Sequence, residues 1–297
     1  MTPQGHTPAS TPAHEIWDRV HSWPIPSSES AGLAARVAVA GPGPTAPQNG
    51  SALQIEPARG IPVVFLHGLV GLNDHWETAV VGLRARLWCV GFELPLLNLR
   101  GDDCSIEGVT ALTASFLRQH FHTPPILVGN SFGGHVALRI ALEHPDLCGA
   151  LVLAGSSGML EQSTVAEVQI RPSHEWLQKK IGELFYNSAA MNPADVDRAF
   201  EELSNRDSAR AMIRLSRSAR RDVLRERINA IAQPTLLMWG RQDVVTPPAA
   251  AEAFHQKIKN SRLVWFDNCG HVPMVEASQG FIDEMLRFAH HLGAQAV

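Results

Sequence analysis

From about residue 62 onward, short apolar runs alternate with longer segments of helical spacing. The runs cover residues 63–66, 87–94, 126–128, 150–153, 235–239 and 263–266, and helix-forming segments lie at 106–120, 132–144, 248–258 and 279–291. A run that is apolar at every position has no side suited to water, so it needs cover on both faces. Strands of that kind separated by helices predict an α/β architecture, a mostly parallel sheet flanked by helices. Between residues 157 and 233 no strand pattern appears, only helical spacing rich in Glu, Arg and Ala. Roughly 75 residues is too long for a simple crossover, so this stretch reads as an inserted helical cap.

The chain before residue 62 is less regular. Residues 33–40 and 52–56 read as weak strands around the Gly- and Pro-rich stretch GPGPTAPQNG at 41–50. Residues 14–23 have the spacing of a short amphipathic helix stopped by Pro24 and Pro26, and the first dozen residues are Pro-, Thr- and Ser-rich. The division expected is a flexible N-terminal extension at 1–30, a core formed by 31–156 and 234–297, and a cap at 157–233.

Composition narrows the class of protein without changing this picture. The chain has 297 residues, 45% hydrophobic and 18% charged, with a formal net charge of −4. That balance suits a globular domain with a sizeable core and offers no global attraction for nucleic acid or an anionic membrane. The N-terminus has neither a basic segment nor an apolar stretch of signal-peptide type, and the apolar runs are too short to span a bilayer. A cytoplasmic protein with no membrane and no nucleic-acid partner is therefore expected. Cys89, Cys104, Cys148 and Cys269 lack metal-type spacing and suit buried, reduced thiols. No ligand cluster calls for a metal or organic cofactor. A small-molecule substrate is the partner expected, and a homo-oligomer is left open.

The sharpest chemical signal is ILVGNSFGG at 126–134, where an apolar run enters Gly129-Asn130-Ser131-Phe132-Gly133 and a helix-forming segment follows. A nucleophilic serine on a strand-to-helix turn needs small neighbours, because strand and helix must approach closely while the hydroxyl stays exposed. A free serine hydroxyl is a poor nucleophile, so a base must be in reach. His271 is the best candidate of 14 histidines. It follows the last apolar run in a Gly-containing loop, whereas His255, His290 and His291 fall in helical segments and His144 ends one. The base in turn needs an acid to fix its tautomer. Asp243, after the run at 235–239, is favoured. Asp267, Asp102, Asp103 and Glu161 are its rivals. The backbone N–H groups of Phe132 and of Leu69, in the HGLVG segment after the first run, are the expected oxyanion donors. His67 reads as a structural hydrogen-bonding residue.

Four segments, HGLVGLNDHW, LVGNSFGGHVAL, PTLLMWGRQDVVTPP and CGHVPMVE, together resemble the α/β-hydrolase superfamily over roughly residues 61–291. The chain is most similar to the capped branch, which holds small esterases and carbon–carbon bond hydrolases of aromatic catabolism. The order Ser131, Asp243, His271 is the superfamily's order and favours Asp243 over its rivals. The resemblance implies hydrolysis of a carboxylic ester or similar acyl bond through an acyl-serine intermediate. Two alternatives stand beside it: carbon–carbon bond cleavage of a dienoic diketo acid, and a non-catalytic ligand-binding protein of the same fold. Val272 follows His271 where carbon–carbon hydrolases usually carry Trp, and Ser131 departs from the Asp nucleophile of dehalogenases and epoxide hydrolases.

Within the cap, Arg206, Arg210, Arg214, Arg217 and Arg221 recur at helical spacing and share one stripe. Such a stripe is either an anion-recognising face turned to the cleft or, as exposed charged stripes usually are, the outer face of a helix. The second reading is preferred. Cap residues Trp176, Leu177, Ile181, Leu184, Phe185, Met212 and Ile213 are expected to divide between packing and pocket.

Overall fold

The computed structural model describes residues 16–42, 61–69, 73–159 and 172–295. Among these, eight strands form one sheet: β1 (Arg19–Pro24), β2 (Ala34–Ala40), β3 (Pro62–Leu66), β4 (Trp88–Glu93), β5 (Ile126–Asn130), β6 (Ala150–Ala154), β7 (Thr235–Gly240) and β8 (Ser261–Phe266). Their spatial order is β1-β2-β4-β3-β5-β6-β7-β8. β2 pairs antiparallel with both β1 and β4, and every pair from β4 through β8 is parallel. The expected strand at 52–56 lies outside the described residues.

The helices are α1 (Glu77–Leu83), α2 (Ile106–His120), α3 (Phe132–Glu143), α4 (His174–Gly182), α5 (Pro193–Ser204), α6 (Arg206–Arg221), α7 (Pro248–Lys257), the short α8 (Pro273–Glu276) and α9 (Ser278–Gln295). β3, β5, β6 and β7 are buried at every position. Alternation explains why such runs must be apolar throughout. Leu127, Leu151 and Leu237 enter a core with Trp23, Phe92 and Phe116, while their neighbours Val128, Val152 and Met238 enter another with Phe65, Trp76 and Phe281. Phe92 and Phe116 stack with centroids 4.0 Å apart. α4, α5 and α6 fill the interval between β6 and β7, forming the inserted cap.

The N-terminal reading needs correction. Residues 19–24 form an edge strand rather than the end of a helix, and Trp17, Trp23 and Ile25 are buried. The stretch expected to be flexible through residue 30 thus contributes Arg19–Pro24 to the sheet. Trp23 Nε1–H donates to Gln119 of α2 at 2.8 Å, fixing this strand to the core.

Candidate active site

β5 ends at Asn130 and α3 begins at Phe132, leaving Ser131 alone to make the turn with φ 52° and ψ −117°. A serine at a helix N-cap ordinarily turns its oxygen onto the second or third helical N–H. Here φ is positive and the hydroxyl makes no such bond, which leaves it uncommitted to the helix end. A β-carbon on Gly133 would lie 2.2 Å from the Leu66 carbonyl oxygen, so only glycine lets α3 pack this closely against the end of β3. The first N–H groups of α3, Phe132's among them, have no partner inside the helix and face the same end of the sheet. Gly68 and Leu69 lie beside Ser131 in the loop after β3: a β-carbon on Gly68 would be 3.5 Å from Ser131 Cβ.

Asp243 and His271, both 2% exposed, meet in the loops after β7 and β8. His271 Nδ1 is 2.9 Å from Asp243 Oδ2. A carboxylate only accepts, so the shared proton sits on Nδ1 and Nε2 is left as an acceptor. Asp243 Oδ1 accepts from the backbone N–H groups of Val245 and Thr246, each at 2.9 Å, and the Thr246 hydroxyl donates to Oδ2 at 2.8 Å. Four donors thus satisfy a carboxylate that is out of water. Rival Asp267 is exposed and paired with Arg241, and Glu161 lies outside the described residues. His67 is buried with Nδ1 2.8 Å from the Gly68 carbonyl, and His255, His290 and His291 are exposed.

Ser131 and His271 open on one cavity of about 160 Å³ under the cap. Its wall is mainly apolar: Leu69, Val245 and Val272 from the core, and Trp176, Leu177, Ile181, Leu184 and Met212 from the cap. Phe185 and Ile213 take no part in it. The ionisable side chains among the described residues of the wall are paired. His75 Nε2 is 3.4 Å from Asp195, Arg198 bridges Asp195 and Asp74, and Lys180 is 3.1 Å from Glu183. Burial would raise the Asp195 carboxyl, but bonds with His75 and the Arg198 charge hold it below its ordinary value. The five arginines of the stripe on α6 are all exposed and none borders the cavity, as the outer-face reading requires.

Three supporting residues escaped the sequence reading. Asn130 Nδ2–H donates to the carbonyls of Ala154, at 2.8 Å, and His271, at 3.0 Å, yet it occupies an unconstrained position of the glycine-serine motif. Thr246 was legible in principle, since Asp followed three residues later by Thr is a local capping pattern. Glu276 bonds backbone groups across 6 to 90 residues, and no local pattern announces that. All four cysteines are buried and free. Burial pushes the Cys269 thiol, beside the His271 loop, up to about 12, with Glu276 and Asp243 adding to it, so it is no thiolate nucleophile. Among the described residues no cluster could hold a metal ion, and no helix is long and apolar enough to cross a membrane.

The fold and these loops define a class. The alpha/beta hydrolase family matches residues 63–284, and the chain belongs to that family. It is 27% identical over 246 residues to a pimeloyl-[acyl-carrier protein] methyl ester esterase of Nitrosomonas europaea, covering 74% of this chain and 92% of that one. It is 25% identical over 243 residues to the monoacylglycerol lipase ABHD6 of Mus musculus, covering 72% and 71%. Among solved structures it superposes on a meta-cleavage product hydrolase from Pseudomonas fluorescens IP01 with a TM-score of 0.72 at 19% identity, over 91% of this chain and 97% of that one. The last likeness is one of fold. The chain is accordingly a hydrolase, related to esterases and lipases.

Proposed function

We propose that the protein hydrolyses carboxylic esters of small apolar acids through an acyl-serine intermediate. Ser131 attacks the carbonyl carbon while His271 Nε2 takes the hydroxyl proton, and Asp243 holds the imidazole in the required tautomer. The backbone N–H groups of Leu69 and Phe132 stabilise the developing oxyanion. His271 returns the proton to the leaving alcohol. A water deprotonated by His271 then attacks the acyl-serine, and the acid departs. The observation that carries this reading is the 2.9 Å Asp243–His271 pair opening, together with a strained serine, on one apolar cavity.

The lining supports an ester of an apolar acid over a dienoic diketo acid, because Lys180, the one lysine or arginine among the described residues of the wall, is already paired with Glu183. A cavity of about 150 Å³ is enough for a benzene ring, so an acyl group of about six carbons is the expected fit. Each methylene buried contributes ~0.8 kcal/mol, or about fourfold in kcat/KM, until the space is full. A panel of p-nitrophenyl esters of rising chain length, run on wild type and Ser131→Ala, tests both parts. The expected result is a rise to about six carbons and a loss of about 10³-fold or more in the mutant. Equal rates in the mutant would remove Ser131 as nucleophile.

A further inference from the structure

The loop that carries His271 is bound to the cap through one carboxylate. Glu276 Oε2 accepts from the N–H of Gly270 at 2.7 Å and from that of Tyr186 at 3.1 Å, and Oε1 accepts from Asn187 N–H at 3.0 Å. Gly270 immediately precedes His271, while Tyr186 and Asn187 belong to the cap segment after α4. The two segments also pair directly, His271 N–H donating to the Leu184 carbonyl at 2.8 Å. They run so close that a β-carbon on Gly270 would lie 2.7 Å from that same carbonyl oxygen. From the other side, Asn130 Nδ2–H donates to the His271 carbonyl at 3.0 Å. Leu184 itself borders the cavity.

Asp243 sets the rotation and tautomer of the His271 ring, but it does not set where the backbone beneath that ring lies. The N–H of Gly270, one residue before His271, is held by Glu276, the N–H of His271 by Leu184 and its carbonyl by Asn130. A base misplaced by about 1 Å loses on the order of a hundredfold in rate, so these backbone bonds bear on chemistry as well as on folding. Among them only the Glu276 carboxylate bonds a His271-loop donor and cap donors at once. We propose that Glu276 is the positioning residue for the His271 base and couples the position of the cap segment 184–187 to it. This rests on His271 being the base, as proposed above.

The test compares wild type, Glu276→Ala and Glu276→Gln, with Ser131→Ala as the control for background hydrolysis. Rates are measured on p-nitrophenyl acetate, too short to reach the cap, and on the hexanoate. The low-field imidazole N–H proton resonance of the His271–Asp243 pair is recorded on the same samples. Glu276→Ala is expected to lower kcat about 10- to 100-fold on both esters with KM within about twofold, and to broaden the resonance. Glu276→Gln keeps one oxygen for Gly270 and Tyr186, and is expected to stay within about threefold of wild type with a sharp resonance. A merely structural role would lower the melting temperature and leave kcat and the resonance of the folded protein unchanged, which would overturn the proposal. A loss confined to KM for the hexanoate would overturn it too. Wild type inert on every ester would defeat the proposed ester-hydrolase reading, and the resonance would still decide the role of Glu276: unchanged in Glu276→Ala, it refutes positioning.

Discussion

Replacing Asp243 by asparagine changes one atom and should nearly abolish activity, because the hydrogen bonds around that carboxylate permit only one orientation of the amide. Oδ1 accepts from two backbone N–H groups, Val245 and Thr246, which can only donate. The amide oxygen of the substituted side chain must therefore take the Oδ1 place, and its NH2 group falls at the Oδ2 place. There it faces the Thr246 hydroxyl, which can rotate to accept, and His271 Nδ1 at 2.9 Å. Nδ1 must then accept, so the ring proton moves to Nε2 and the base has no lone pair for the Ser131 proton. The chemistry loses its base while packing and hydrogen-bond number stay the same. The expected loss is about 10⁴-fold in kcat/KM at neutral pH, or about 5 kcal/mol of transition-state stabilisation, with little change in melting temperature. The assay is hydrolysis of p-nitrophenyl butyrate beside thermal unfolding of the same preparations. Activity within tenfold of wild type would refute the assigned roles of Asp243 and His271.

Three further outcomes follow from the same contacts. Gly133→Ala puts a β-carbon 2.2 Å from the Leu66 carbonyl oxygen, so denaturant unfolding should show a loss of about 3 kcal/mol or more, with activity falling as the elbow opens. Met212→Ala removes a cap side chain from the cavity wall and should move the preferred acyl chain about two carbons longer, read from the same ester panel. Asp222 caps the end of α6 and accepts from His135 and Arg139 of α3, at 3.1 and 2.6 Å. Burial works to raise its carboxyl, but those bonds hold it at about 2 against an ordinary 3.8. A folded-state value below the unfolded one gives stability that is complete above about pH 4 and lost as pH falls toward 2. Asp222→Asn should therefore be less stable than wild type at pH 7, with the gap closing between pH 4 and 2 in acid unfolding. A gap that stays constant across that range would show that the pairing contributes nothing.

How far these features could be read without coordinates depended on the distance over which each is determined. β5, α3 and the turn between them are set by consecutive residues, so ILVGNSFGG announced the strand, the serine and the close packing at Gly133. The strands β3 to β7 were legible because burial on both faces demands a nearly unbroken apolar run, and β8, only partly buried, because it still carries the apolar run at 263–266. The solvent-facing arginines of α6 were legible from their 3.6-residue spacing. β1 was not: Ile16, Trp17, Val20 and Trp23 also fit a helical stripe, and pairing with β2 over six residues overrides that local preference. α1, seven residues long, gives too short a period to stand out. Asn130 and Glu276 act through backbone groups far away in sequence, so their roles emerge only once the loops after β5, β7 and β8 are brought together beneath the cap.

The most direct measurement of the central claim is active-site labelling with a fluorophosphonate, which reacts only with an activated serine. Intact mass and peptide mapping should show one adduct per chain, on Ser131, absent from Ser131→Ala and formed far more slowly in His271→Ala. An adduct on another residue, or none under conditions that label a control serine esterase, would contradict the account.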